Sequence, residues 1–230
     1  MSRHAIYFAP ARATPLWELG VRWLGRDPET GAAMAPMQVP GFPADRLAVL
    51  TAPVCRYGWH ATLKAPFRLR EGVSGHDLAV AVRAFAARLE PVSLPPLEVR
   101  ELDGFLALVP VVPSERLDWL AALCVEVLDP WRAPLDEAER ARRDGGRLDP
   151  RGRELLERWG YPWVFERFRF HLTLTGPVEP GEGHRLSQWL SAYFEPALAF
   201  PGRVDSVAIF HEPASGQALR LVRRVPLGRR

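Results

Sequence analysis

Apolar residues along the chain fall into short alternating runs separated by stretches at helical spacing. His4–Ala9 reads as a strand halted by Pro10, and Pro15 then opens a helix carrying Leu16, Leu19 and Trp23. Residues 25–53 are dense in Pro and Gly, which predicts mostly loop. A strand around Trp59–Leu69 follows, and Ser74 then caps a helix to about Leu89. Strands near Leu97–Leu102 and Phe105–Val111 flank Asp103-Gly104, a hairpin turn, and a helix runs from about Ser114 to Leu128. The second half offers a strand at Phe168–Leu174, a helix across Arg185–Tyr193, and strands near Val204–Phe210 and Ala218–Val225 around the turn Pro213-Ala214-Ser215-Gly216. No run approaches the ~18 apolar residues of a membrane span, and Pro10 arrives too early for a signal peptide.

The order repeats. IYFAP precedes one helix and LALVP another, so Pro10 and Pro110 hold matching places, and "strand with His, helix, strand, turn, strand" occurs twice. This predicts an internal duplication of two lobes about a pseudo-two-fold. Residues 129–167 interrupt the repeat with WRAPLDEAERARRDGG and RGRELLERWGYPWV, short charged helices inserted before the second His strand. They read as a solvated arm; the alternative is a lid offering one or two arginines to an anion.

With 230 residues, 47% hydrophobic and 25% charged, the chain is an ordinary globular one, long enough for one large domain or two small ones. Its net charge is +3, but Lys64 is the only lysine among 30 basic residues. That bias, together with abundant proline, reads as a GC-rich coding sequence. No dense basic stripe predicts nonspecific nucleic-acid binding, while small anionic substrates remain permitted. Cys55 and Cys124 stand far apart in no ligand spacing, which suggests a reduced, cytoplasmic setting.

Two of the six histidines share a pattern: His60 in W-H-A-T-L and His171 in F-H-L-T-L. On a strand, alternation sets His60, Thr62 and Lys64 on one face, and Arg169, His171, Thr173 and Thr175 on one face of the other. If the pseudo-two-fold brings these strands together, two His-Thr pairs face each other across a groove. Two imidazoles can divide base and acid roles, and two hydroxyls can donate to the non-bridging oxygens of a phosphodiester. Zinc is a weaker reading, because each strand offers a single ligand without a supporting Cys/Asp/Glu cluster.

At these motifs the chain resembles the 2H phosphoesterase superfamily, which includes bacterial RNA 2′,3′-cyclic phosphodiesterases. More narrowly, RYGWHATLKAPFRL, WRAPLDEAE, RELLERWGYPWV and FRFHLTLTG resemble the branch encoded within phosphonate-utilisation operons, over nearly the whole chain. The resemblance implies one α+β domain spanning residues 1–230, with two lobes, an antiparallel sheet in each, outer helices and a central groove. It implies catalysis by His60, Thr62, His171 and Thr173 with no metal or cofactor. The expected partner is a small anionic phosphoester, such as a phosphorylated ribose cyclic phosphate.

Lys64, two residues beyond Thr62, is a candidate for orienting a second phosphate, and Tyr7 and Tyr57 are candidates for reaching the groove. An RNA end-processing enzyme is a less favoured alternative, since it wants aromatic stacking and a basic track that the sequence does not display. A noncatalytic module holding a phosphorylated ligand is the third.

Overall fold

A computed structural model describes residues 1–199 and 202–228. The first half contains β1 (Arg3–Phe8), α1 (Pro15–Leu24), α2 (Ala44–Cys55), β2 (Ala61–Phe67), α3 (Gly75–Ala86), β3 (Val92–Leu94) and β4 (Leu97–Leu102). The second contains β5 (Phe105–Pro110), α4 (Glu115–Val127), α5 (Glu137–Asp144), α6 (Pro150–Trp159), β6 (Leu172–Pro177), α7 (Pro180–Leu198), β7 (Gly202–Val204), β8 (Ser206–Glu212) and β9 (Arg220–Pro226). The class is α+β, and every strand pairing described is antiparallel.

Several elements follow directly from local chemistry. Asp103 and Gly104 both take positive φ, as a tight β4–β5 hairpin requires. Ser74 and Asp77 form a reciprocal capping box at the start of α3. The inserted residues 129–167 form the charged helices α5 and α6, with single 3₁₀ turns at Asp129–Trp131 and Phe165–Arg167. Helix α7 is longer than its periodicity predicts, starting at Pro180, where a proline at N1 gives up no hydrogen bond.

The stretch 25–53 is mostly loop, as its Pro and Gly predict, but its last third is helical: α2 starts at Ala44 and buries Leu47, Leu50 and Val54 at helical spacing. Its prolines do not break it: Pro43 is the N-cap and Pro53 lies in the last turn. One expectation is corrected here: there is no separate sheet in each half. One seven-stranded sheet runs β4-β5-β6-β2-β1-β8-β9, with β3 and β7 forming a two-stranded sheet of their own. Between β2 and β6, however, only Ala61 and Leu172 pair. Helices pack across that seam: α2, which follows β1, lies on β6, and α4, which follows β5, lies on β2.

Candidate active site

Each key histidine stands one residue before its strand, which begins at Ala61 or Leu172 rather than earlier as the alternation predicts. The residue preceding each is an anchor. Trp59 is fully buried, and its indole N–H donates to the Leu16 carbonyl at 2.9 Å. It lies so close to α1 that a Cβ at Gly20 would sit 2.1 Å from the indole, so only glycine fits there. Phe170, before His171, is likewise buried and packs near Phe8.

The anchored backbone fixes the imidazoles in the same way twice. His60 Nδ1 donates to the Gly58 carbonyl and His171 Nδ1 to the Arg169 carbonyl, each at 2.7 Å. A carbonyl only accepts, so Nδ1 carries the proton and Nε2 is the free, basic nitrogen of each neutral ring. Gly58 makes this possible for His60 by adopting φ +81°, where its neighbours leave no comfortable room for a Cβ. The Thr62 hydroxyl lies 3.3 Å from His60 Nε2. Tyr7 stacks on the His60 ring at 3.7 Å between centroids, and Tyr57 stands 6.4 Å away.

His60, Thr62, His171, Thr173, Tyr7 and Tyr57 all line one groove of about 560 Å³. Burial pushes His60 down to about 4, against the pull of the Gly58 carbonyl, and the nearby His171 lowers it further. His171 is also lowered, mainly by burial. Two neutral imidazoles therefore face the groove at neutral pH.

Lys64 is a correction. It does not line the groove. Between β1 and β2 the register pairs Tyr7 with Thr62 but Ile6 with Lys64, so β2 carries an extra residue at a bulge. The bulge turns Lys64 to the opposite face, where it is buried, with Nζ donating to the Val125 carbonyl at 3.0 Å and Asp129 Oδ1 at 3.2 Å. Thr175, its counterpart in β6, is also buried, and its hydroxyl accepts the Leu106 N–H at 3.0 Å.

Burial pushes Lys64 down to about 8, although Asp129 opposes this. A lysine lowered on folding loses its proton earlier in the native than in the unfolded chain, so its contribution to stability rises with pH between about 8 and 10. Urea denaturation should therefore show wild type gaining on Lys64→Met across that range. Asp129→Ala should be the more damaging change near pH 7, by about 3–5 kcal/mol, because it strips the buried ammonium of its carboxylate. A gap between wild type and Lys64→Met that ignores pH would remove this reading.

The sequence did not single out the groove's cations. Arg142, Arg143 and Tyr161, all from the inserted segment, form part of its wall, and Arg3 enters from β1. Arg3 is neutralised by the buried Glu212. Arg143 instead donates to the carbonyls of Pro66 and Gly160, so its charge is held in place without being cancelled by those partners. An adjoining chamber of about 320 Å³ shares Thr62, Phe105, Tyr161 and His171 with the groove and adds Trp163, Phe168 and Arg167. Among the described residues, no group of three or more His, Cys, Asp or Glu is arranged to hold a metal ion. Nor is any described helix long and apolar enough to cross a membrane.

An α+β chain with two His-x-Thr segments opening on one groove is thus the class that fold and site define. Residues 62–220 match the family described as "Protein of unknown function (DUF1045)", and the chain belongs to it. It is 38% identical over 230 residues to a protein of Janthinobacterium sp. (strain Marseille) named "Ribose 1,5-bisphosphate phosphokinase PhnN", covering 98% of this chain and 51% of that one. A protein of the same name from Laribacter hongkongensis (strain HLHK9) is 40% identical over 227 residues, covering 97% and 51%. The chain spans about half the length of these curated relatives. Among solved structures, one titled "Crystal structure of phosphoesterase" aligns over 100% of both chains at 14% identity and TM-score 0.43. E. coli LigT complexed with phosphate aligns over 99% of this chain and 98% of its own at 13% identity and TM-score 0.39.

Proposed function

We propose that this chain is a phosphodiesterase that hydrolyses a small cyclic phosphate ester by histidine acid–base chemistry. The observation carrying this reading is the pair of imidazoles, each tied through Nδ1 to the carbonyl two residues earlier, with a threonine two residues on, in one groove. One Nε2 takes a proton from the attacking water while the other imidazole, protonated, delivers one to the leaving oxygen. The threonine hydroxyls and Arg143 stabilise charge on the non-bridging oxygens. We also read residues 1–230 as a single domain of two duplicated lobes, since the strand order is mirrored about the β6–β2 seam, β5 answering β1 and β4 answering β8.

The relatives' name describes a kinase, and only half of each is matched. A nucleotide kinase of the P-loop type holds its phosphates with a glycine-rich loop and its lysine. The one lysine here is buried behind the sheet against Asp129. We therefore draw the substrate, not the reaction, from that name. Hydrolysis of a 1,2-cyclic phosphate of ribose 5-phosphate at its 2-oxygen yields ribose 1,5-bisphosphate, so that cyclic ester is the first substrate to test. Turnover of it by the purified chain supports the reading, and no turnover across a panel of sugar and nucleotide cyclic phosphates sinks it.

A second reading, cleavage of a nucleoside or RNA 2′,3′-cyclic phosphate, gains support from the adjoining chamber. There Phe105, Tyr161, Trp163 and Phe168 offer faces for a base, with the Arg167 guanidinium 6.0 Å from the Trp163 ring. Preference for nucleoside over ribose substrates, lost in Trp163→Ala, would select it.

The lowered histidines also set a pH dependence. Rates under kcat/KM conditions report the free protein, in which both imidazoles titrate below the ordinary ~6.5. The optimum of kcat/KM should therefore lie on the acid side of neutrality. A bound anionic phosphate favours imidazolium, so the kcat profile should sit at higher pH. The same sign governs stability: the fold favours neutral His60, whose contribution is complete above about 6.5 and is lost as pH falls toward 4. A kcat/KM optimum above pH 8 would contradict the assignment.

A further inference from the structure

A cavity of about 770 Å³, larger than the groove, lies on the reverse of the sheet. Strand β1 separates the two sites by simple alternation: Arg3 and Tyr7 line the groove, whereas His4 lines the cavity. The β1–β8 register is regular and pairs His4 with His211, whose rings stack 4.7 Å apart. Around this pair stand His76, Arg68, Arg70 and Arg223, and among the described residues none lining the cavity is acidic. The first turn of α3 also opens here, at Gly75, with His4 Nε2 3.2 Å from where a Cβ on that glycine would be.

The charges divide into used and unused. Arg68 is paired with Glu139 at 2.8 Å and Asp136 at 3.4 Å. Asp77, in the first turn of α3, has its carboxylate bound to the Ser74 N–H and hydroxyl. By contrast, Arg70 donates to the Pro130 carbonyl, and neither Arg70 nor Arg223 makes an ion pair among the described residues. His4 Nδ1 is buried with no hydrogen-bond partner. Two arginines with no carboxylate partner, beside a stacked histidine pair and no acidic lining, make a surface that attracts an anion.

We propose that this cavity binds a second phosphate-bearing anion, distinct from the substrate in the groove. Arginine forks, imidazole N–H groups and a helix start suit phosphate oxygens, and the volume suits a small phosphate ester rather than a bare ion. Burial and the neighbouring His211 push His4 down to about 4, and an anion seated beside it favours its protonated form.

The test uses the full chain with ¹⁵N-labelled histidine, titrated with pyrophosphate and, separately, with sodium chloride and tricarballylate. Saturable shifts of the His4 and His211 resonances with pyrophosphate are expected. They should persist in His171→Ala and weaken at least 10-fold in Arg70→Gln/Arg223→Gln, whose two side chains are exposed and should not disturb folding. Unmoved His4 and His211 resonances, shifts that follow chloride equally, or unchanged affinity in the double arginine variant would each overturn the site. Equal affinity for tricarballylate would overturn its phosphate class.

Discussion

Replacing His60 or His171 with alanine is expected to lower turnover of a cyclic phosphate by about 10²–10⁴, the usual contribution of a positioned acid or base. Each ring contributes one hydrogen bond to a local carbonyl, and His60 also stacks on Tyr7, so the fold should survive with a loss of about 1 kcal/mol. The double variant should be little slower than either single one, because acid and base act as one unit. Steady-state kinetics with a denaturation control decides the matter. Glutamine at either position keeps some polar contact but cannot shuttle a proton, so it should be nearly as slow as alanine. Near-wild-type turnover in any single variant would falsify the acid–base assignment, and tight binding without turnover throughout would favour a noncatalytic module.

The second large effect is expected from the hydroxyls. Thr62→Val and Thr173→Val preserve shape and remove one donor each, leaving no cavity. Turnover should fall by about 10²–10³ at most, as for one lost oxyanion donor, with a smaller change in KM. Thr62 carries an additional role in the free protein, where its hydroxyl faces His60 Nε2 at 3.3 Å. Its loss should therefore also move the pH profile, while Thr173→Val should not move it through a bond of that kind. If only KM rises, the hydroxyls hold ground-state phosphate and do not act in catalysis.

Much of this architecture was legible because it depends on neighbours in sequence. The β4–β5 hairpin announces itself through Asp103-Gly104, and the α3 start through Ser74 and Asp77. The paired histidines stood out because each motif is complete within a few residues. Helix α2 was obscured because proline counts as a breaker wherever it falls, whereas Pro43 and Pro53 occupy the ends of α2. Lys64 was misplaced for a different reason. Strict alternation assumes one residue per partner, and the β1–β2 bulge violates that assumption between Thr62 and Lys64. Arg143 reaches the groove only because the inserted segment packs over the Pro66 carbonyl, a contact between distant parts of the chain. The general expectation of a lid with arginines could be formed from sequence, but not which arginine.

The lone Ala61–Leu172 pairing at the middle of the sheet bears on how such a protein could be tuned. Elsewhere, ladders of backbone hydrogen bonds hold neighbouring strands at a set spacing, but at the seam that constraint nearly vanishes. The gap between the imidazoles is then governed by two cross-braces, α2 gripping β6 and α4 gripping β2. Trimming a contact beneath either brace, for example at Leu50 on α2, is expected to shift the spacing of the two imidazoles as well as to lower stability. If the proposed function holds, substitutions far from the groove offer a way to tune the spacing of the two rings without touching the motifs.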